Sequence, residues 1–172
     1  MELGALISRV QGAVVAAGIE LEKIISEKSK EFLVKSVEEM ENLLTGGTNF
    51  NNNTYLIPKK TVQGSEKFKI KHEPDFLLLK KDNKTLYIVE LKDGDDFDTK
   101  KSSGEVESLR RFQDHISNKI TYKTQIIICC FNQDSKKEII KGFKGRITTA
   151  EAFYRSRALR INWNWLSNHY QR

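Results

Sequence analysis

The chain has 172 residues, of which 38% are hydrophobic and 30% are charged. This composition excludes an intrinsically disordered chain and suits one globular domain, which we expect to extend over residues 1–172. No apolar run is long enough to span a bilayer, and the first residues lack the basic segment of a signal peptide. We therefore expect a cytoplasmic protein with no membrane partner. The net charge of +6 and the isoelectric point near 9.2 favour a polyanionic partner.

Helical periodicity dominates the first part of the chain. Apolar residues recur at three- and four-residue steps over residues 3–44, and breaks near Gly18 and residues 26–29 favour two helices over one. The polar loop 48–54 follows, and in it the amides of Asn51 and Asn52 are candidates for contacts with base edges or sugar oxygens. A solvated connection without such contacts is an equally valid interpretation.

Strand patterns begin after this loop. Alternating residues at 67–72 predict a half-exposed strand with a basic outer face. Two apolar runs, at 75–80 and 85–92, flank Asp82-Asn83 and predict a β-hairpin.

A helix and a further strand follow the hairpin. The polar loop 93–104 leads to a predicted helix at 105–118, and the apolar run 122–131 is typical of a strand buried on both faces. Together they predict a right-handed βαβ crossover beside the hairpin. Cys129 and Cys130 are adjacent on this strand and point to opposite faces, which favours two buried thiols over a disulfide. The predicted fold class is α/β, with a central mixed sheet and helices on both faces.

The last part of the chain has weaker patterns. Thr148 or Thr149 is a suitable N-cap for a short helix that extends through Arg155. A final helix or strand is expected at 161–166, packed on the core.

The hairpin register brings two acids together. If Asp82-Asn83 is a two-residue turn, Asp75 lies opposite Glu90, and Lys92 lies on the same face as Glu90. Side chains directly opposite one another on a sheet have Cβ atoms about 5 Å apart, close enough for two carboxylates to share a divalent cation. Like charges in this arrangement repel, and a bound cation would reverse the sign of that interaction.

These residues resemble the PD-(D/E)xK signature of restriction-endonuclease-like nucleases. Pro74-Asp75 precede the hairpin, and Glu90-Leu91-Lys92 end its second strand. The resemblance implies that Mg²⁺ is the cofactor, held by the carboxylates of Asp75 and Glu90 and by the backbone carbonyl of Leu91. It implies that Lys92 is the catalytic lysine, which orients or activates the attacking water and stabilises charge on the phosphate.

The resemblance also implies a fold and a division of the chain. It covers residues 74–131 well and the flanks hardly at all. The implied restriction-endonuclease-like domain has N-terminal helices at 3–44, a catalytic core at 66–131 and a helical, basic C-terminal segment at 136–172.

The family often adds an acid from its first helix. The stretch from Gly18 to Ile24 resembles the corresponding segment of many restriction enzymes and assigns this role to Glu22. Glu20 is the competing candidate, and a surface role for both acids remains open.

Further residues are candidates for DNA contact. The loop after the second hairpin strand is suited to phosphate contacts, because a helix N-terminus nearby favours an anion. A solvated loop or a second metal contact through its acids is the alternative. Gln113 is a candidate for contact with Lys92, with simple helix packing as the other role. The candidate DNA-binding residues are Asn51, Asn52, Lys59, Lys60, Lys100, Lys101, Ser102 and Ser103.

The resemblance therefore implies a Mg²⁺-dependent endonuclease that hydrolyses double-stranded DNA and leaves a 5′-phosphate. A type II restriction endonuclease is the leading interpretation, acting as a homodimer or as one subunit of a heterodimer because two-fold symmetry matches a palindromic site. A structure-specific repair nuclease or junction resolvase is the first alternative. A non-catalytic DNA-binding subunit of the same fold is the second.

Overall fold

In the part of the chain that the structure describes, a mixed β-sheet of five strands organises the fold. The computed structural model describes residues 22–23, 25–27, 29–92, 99–131 and 135–155. The strands lie side by side in chain order: β1 (Thr54–Pro58), β2 (Phe76–Lys80), β3 (Thr85–Lys92), β4 (Lys123–Phe131) and β5 (Ala152–Arg155). Neighbours from β1 to β3 are antiparallel, and those from β3 to β5 are parallel. The predicted mixed sheet is confirmed.

Helices flank this sheet. In the described ranges they are α1 (Val37–Leu44), α2 (Lys59–Gln63), α3 (Thr99–Ser117) and α4 (Lys136–Gly142), with a 3-10 turn at Lys30–Phe32 and further helical residues at 22–23 and 25–27. The hydroxyl of Ser36 accepts a hydrogen bond from the Glu39 N–H at 3.1 Å and thereby caps the N-terminus of α1. None of the described helices is both long and apolar enough to cross a membrane.

The predicted N-terminal helices are described only from residue 22 onward. Helical residues precede Ser29 and α1 follows Ser36, so this part of the chain is helical as expected. The chain is extended at Leu33, which bridges to Leu56 of β1 in parallel orientation. The break between the helices begins at Ser29, within the predicted stretch 26–29, and extends to Ser36 because β1 offers backbone partners there.

The hairpin has the predicted register. Leu77 pairs with Ile88, and Leu79 pairs with Leu86. The turn is wider than predicted, because the strands end at Lys80 and Thr85 and leave a four-residue connection.

Local geometry explains the wider turn. The Lys84 N–H bonds to the Lys81 carbonyl at 3.2 Å, and Lys84 adopts a φ of 52°. The Asn83 side chain accepts the Thr85 N–H at 3.2 Å and donates to the Tyr87 hydroxyl at 3.1 Å. Asp82 and Asn83 remain at the centre of the turn, so the register is unchanged.

Each face of the sheet is buried against its own group of helical residues. One face contains Leu77, Leu79, Leu86, Ile88, Ile128 and Cys130, and it packs against residues of α1, α3 and α4. The other contains Phe76, Leu78, Tyr87, Val89, Ile127 and Cys129, and it packs against Ile25 and Phe32. Both faces are thus covered, as predicted, and the two cysteines are buried on opposite faces.

The predicted strand at 67–72 is wrong. This segment consists of turns and bends, and the Ser65 hydroxyl accepts the N–H groups of Lys67 and Phe68 at 3.2 Å. Phe68 is fully buried, so the alternation reflects a loop anchored by an apolar side chain. The strand that pairs with β2 of the hairpin is instead β1, which begins at the last residue of the predicted loop 48–54.

The helix after the hairpin begins earlier than predicted. It starts at Thr99 rather than at residue 105, so Ser102 and Ser103 lie on its first turns and not in a loop. The chain runs from β3 through α3 to β4, and β3 and β4 pair in parallel, as a crossover requires.

The predicted helix at 148–155 is also wrong. The Glu151 carboxylate accepts the Thr148 N–H at 2.7 Å, so a helix-like cap is present. The chain then enters β5, because the edge of β4 offers backbone partners: Ile128 donates to the Glu151 carbonyl at 2.8 Å and pairs with Ala152. The element expected at 161–166 lies outside the described residues.

We predict that Lys84→Gly stabilises the protein. A left-handed conformation costs a residue with a Cβ roughly 1 kcal/mol, and glycine avoids this cost at a smaller entropic penalty. The free energy of unfolding, measured by urea denaturation, should rise by about 0.5 kcal/mol. Asn83→Gly is the matched control and should lower it, since it removes the bonds to Thr85 and Tyr87. Equal destabilisation by both variants would contradict the turn geometry.

Candidate active site

Asp75 lies directly before β2, at the end of the hairpin away from the turn. Its carboxylate accepts the Leu91 N–H at 2.8 Å, and its carbonyl accepts the Lys59 N–H at 3.1 Å. The Lys59 ammonium is 3.8 Å from the same carboxylate, whose side chain is 14% exposed. Since Phe76 pairs with Val89, the register brings Asp75 next to Glu90.

Glu90 and Lys92 lie two residues apart on β3 and therefore on one face. This is the face that packs against α3, because Ile88 belongs to the same core cluster as the apolar residues of that helix. The Lys92 ammonium is 3.4 Å from a Glu90 carboxylate oxygen, and both side chains are largely buried. The sequence-predicted acid, acid and lysine thus lie together at one end of the hairpin.

Glu105 completes this group from α3, and the sequence analysis did not identify it. Its carboxylate accepts a bond from the Lys92 ammonium at 2.6 Å. A usable signal was present, because Glu105 lies four residues before Leu109 and thus on the inward stripe of the helix. Gln113, proposed for this contact, is two turns farther along and donates to the carbonyl and hydroxyl of Thr124 at 3.2 Å.

The structure brings Glu22 close to the same group. Burial, and then the charge of Asp75, raise the pKa of Glu22 above its usual value, while Lys59 acts in the opposite direction. Such an influence requires proximity, so Glu22 is near Asp75 and Lys59. The competing Glu20 lies outside the described residues.

An open cleft of about 590 Å³ gives solvent access to this group. It is lined by Lys59, Gln63, Lys71, His72, Glu73, Glu90, Gly104, Glu105, Ser108 and Leu109. One wall comes from α3, and the other comes from α2 with the segment before β2. A bond from the Ile70 N–H to the Glu73 carboxylate at 3.1 Å holds that segment in place. The exposed Lys71 and His72 therefore belong to the cleft, although the sequence analysis assigned them to a strand.

The other candidate DNA-binding residues are placed differently. Asn51 and Asn52 precede β1 at the turn end of the hairpin, away from the cleft, and the Asn52 N–H donates to the Tyr55 hydroxyl at 2.9 Å. Lys60 is exposed on α2 and does not line the cleft. Ser102 is buried and Ser103 is half-buried on α3. Lys100 and Lys101 belong to the first turn of that helix, and their side chains lie outside the described residues.

The electrostatics of the site are dominated by crowded carboxylates. Burial and the neighbouring Asp75 raise the pKa of Glu90 from 4.5 to about 7, although Lys92 opposes the shift. Burial lowers the pKa of the Lys92 ammonium, but the Glu90 and Glu105 carboxylates outweigh it and raise that pKa above 10.5. In this cleft the acidic groups outnumber the lysines that neutralise them.

The donor set suits a hard divalent cation. Asp75 and Glu90 offer carboxylate oxygens beside one another, and the repulsion between them is relieved by a cation. Among the described side chains, no three His, Cys, Asp or Glu form a ready-made metal cluster. A cation held here would therefore keep several waters or backbone ligands, as Mg²⁺ characteristically does.

Comparison with known proteins identifies a relative by sequence. The chain is 43% identical over 148 residues to the type II restriction enzyme HhaII of Haemophilus parahaemolyticus. The alignment covers 84% of this chain and 64% of that enzyme, so the chain spans less than two thirds of its relative's length. No protein-family model matches the chain. No solved structure matches it either.

We predict that Glu90→Gln stabilises the cation-free protein as the pH rises. The pKa of Glu90 is 4.5 in the unfolded chain and about 7 in the folded protein. The contribution of Glu90 to the free energy of unfolding is therefore present below pH 4.5 and is lost as the pH rises through 7. The glutamine variant lacks this loss. The free energy of unfolding of the variant minus that of the wild type, measured in EDTA, should therefore be roughly 2 kcal/mol larger at pH 8 than at pH 5.

Asp114→Asn is the control for this experiment, since Asp114 is exposed on α3. The free energy of unfolding of this variant should differ from that of the wild type by the same amount at pH 5 and at pH 8. A pH-independent difference for Glu90→Gln as well would contradict the raised pKa.

Proposed function

We propose that this protein is a Mg²⁺-dependent endonuclease of the PD-(D/E)xK class that hydrolyses double-stranded DNA at specific sites, as a type II restriction endonuclease. The observation that carries the proposal is the grouping of Asp75, Glu90 and Lys92 at the end of the β2–β3 hairpin, where Glu90 lines the cleft. The similarity to a type II restriction enzyme supports the same function. The mixed sheet with helices on both faces is consistent with a restriction-endonuclease-like fold.

Asp75 and Glu90 would hold the Mg²⁺ ion, together with the Leu91 carbonyl. Both carboxylates are largely buried and adjacent, so each gains from a shared cation. When bound, the cation offsets the negative charge that develops on the scissile phosphate and helps to generate the attacking hydroxide. Glu22, near Asp75, is the candidate for a further acid at this end of the site.

Lys92 acts as a hydrogen-bond donor and a fixed positive charge. Its side chain is 23% exposed, so the ammonium can reach a water molecule or a phosphate oxygen in the cleft. The raised pKa keeps it protonated at neutral pH, which suits orientation of the water and stabilisation of phosphate charge rather than removal of a proton. Attack on phosphorus then releases the 3′ oxygen and leaves a 5′-phosphate.

The DNA backbone would enter along the basic wall of the cleft. Lys59 and Lys71 line it, and the whole chain carries a net charge of +6. Basic side chains on this wall attract phosphates regardless of base sequence, so they orient the duplex and leave specificity to other contacts. Cleavage of both strands at a palindromic site would require a second active site, supplied by a homodimer or by a partner subunit.

We predict discrete fragments when plasmid or phage DNA is incubated with the wild type and Mg²⁺, and none in EDTA. Asp75→Asn and Lys92→Met should each lower the cleavage rate by about 100-fold or more, because each removes a charge aimed at the reacting phosphate. Asp114→Asn is the control and should cleave like the wild type. Gel analysis of initial rates measures all four proteins.

Other outcomes of this experiment identify other functions. A smear indicates a nonspecific nuclease, and cleavage of branched DNA alone indicates a junction resolvase. Binding without cleavage of any substrate indicates a non-catalytic subunit. Full cleavage by the Asp75→Asn/Lys92→Met double variant would contradict the proposed site.

We predict that Lys59 contributes more to DNA binding than its neighbour Lys60. Binding is measured in EDTA over a series of salt concentrations. Lys59→Ala should reduce the slope of log affinity against log salt by about one, as expected for one lost phosphate contact. Lys60→Ala should leave the slope closer to that of the wild type, because Lys60 lies outside the cleft. The reverse order would place the DNA on a different surface.

A further inference from the structure

The shortest polar contact of Lys92 is with a helix, not with its own strand. Its ammonium lies 2.6 Å from Glu105 on α3 and 3.4 Å from Glu90 on β3. The first distance is typical of a strong charge-assisted hydrogen bond, and the second is at the limit of a hydrogen bond. Glu105 is therefore the main partner of Lys92 in this structure.

The packing of α3 makes Glu105 a fixed partner. Val106 and Leu109 are buried in the same core cluster as Ile88, the β3 residue on the face of Glu90 and Lys92. The position of the helix relative to β3 is thus set by apolar contacts that follow directly after Glu105. A lysine side chain has four rotatable bonds and is held in one place only when a fixed partner restrains it.

Glu90 is less suited to hold Lys92 during the reaction. It is next to Asp75, and a cation shared by these two carboxylates would draw its charge away from the lysine. Among the described side chains Glu105 forms an ion pair with Lys92 alone, and it reaches Lys92 from the α3 wall of the cleft.

We propose that Glu105 is the positioning residue for Lys92: it holds the ammonium in the cleft while Asp75 and Glu90 take the cation. This inference rests on the proposed nuclease function. It assigns Glu105 no contact with the substrate and no place among the cation ligands. Without Glu105 the ammonium would lose its fixed partner and leave the position from which it reaches the phosphate.

Steady-state cleavage kinetics of the full chain test this role. Glu105→Gln should lower kcat by about tenfold or more and leave KM unchanged or lower, because a positioning contact acts after DNA is bound. Glu105→Asp keeps the charge with a shorter reach and should give an intermediate kcat. Asp114→Asn, an exposed charge change on the same helix, is the matched control and should behave like the wild type.

A double variant separates positioning from a general structural role. If Glu105 acts through Lys92, then Lys92→Met/Glu105→Gln should cleave no more slowly than Lys92→Met alone in single-turnover experiments. Additive losses would mean that Glu105 acts independently of the lysine and would overturn the proposal. So would a kcat for Glu105→Gln equal to that of the wild type.

Cation binding distinguishes a positioning residue from a ligand. In calorimetric titration with Ca²⁺ or Mn²⁺, Glu105→Gln should bind within about twofold of the wild type, whereas Glu90→Gln should lose about tenfold or more because a ligand is removed. An equal loss in both variants would make Glu105 a cation ligand and overturn the proposal.

An NMR measurement tests the contact between Glu105 and Lys92 without relying on DNA cleavage. In ¹⁵N-resolved NMR spectra of the cation-free protein, a lysine ammonium held in an ion pair exchanges slowly enough with water to be observed. The signal assigned to Lys92 by its absence in Lys92→Arg should persist in Asp114→Asn and broaden or vanish in Glu105→Gln. An unchanged signal overturns the positioning role. Absence of DNA cleavage by the wild type would instead overturn the nuclease function, and this spectrum would still test the contact.

Discussion

The register of the β2–β3 hairpin is the constraint on which the candidate site depends. A slip of one residue would move Glu90 and Lys92 to the opposite face, away from α3. Both faces of the hairpin are apolar, so burial alone does not choose between the two registers. The choice is made by directed bonds at its two ends: the Asn83 side chain closes the turn, and the Leu91 N–H bonds to the Asp75 carboxylate.

This register has an energetic cost that is concentrated at the site. It holds Glu90 beside Asp75 in a largely buried position, and burial, followed by the repulsion from Asp75, raises the pKa of Glu90. Perturbed acids of this kind are characteristic of functional sites, where groups are arranged for a ligand rather than for stability. Lys59 and Lys92 reduce the cost but do not remove it, so a divalent cation bound to these carboxylates would stabilise the folded protein.

The second constraint is the docking of α3 across β3 and β4. Its apolar stripe brings Leu109 and Phe112 into the core, and the same stripe carries Glu105 to the cleft. The lysine at the end of β3 is thus held by a helix residue that lies 13 positions later in the sequence. Correct folding of the crossover is in this way coupled to the position of Lys92.

Local patterns determined the hairpin, its two apolar faces, the buried strand β4 and the group of Asp75, Glu90 and Lys92, because turn chemistry and a period of two act over a few residues. Tertiary contacts decided the rest. β1 and β5 exist because β2 and β4 offer edges to pair with, whereas the local patterns of their neighbourhoods favoured a loop and a helix. The assignments of Glu105 to Lys92, and of Lys71 and His72 to the cleft, depend on how α3 and the segment before β2 pack, and no sequence period encodes such long-range contacts.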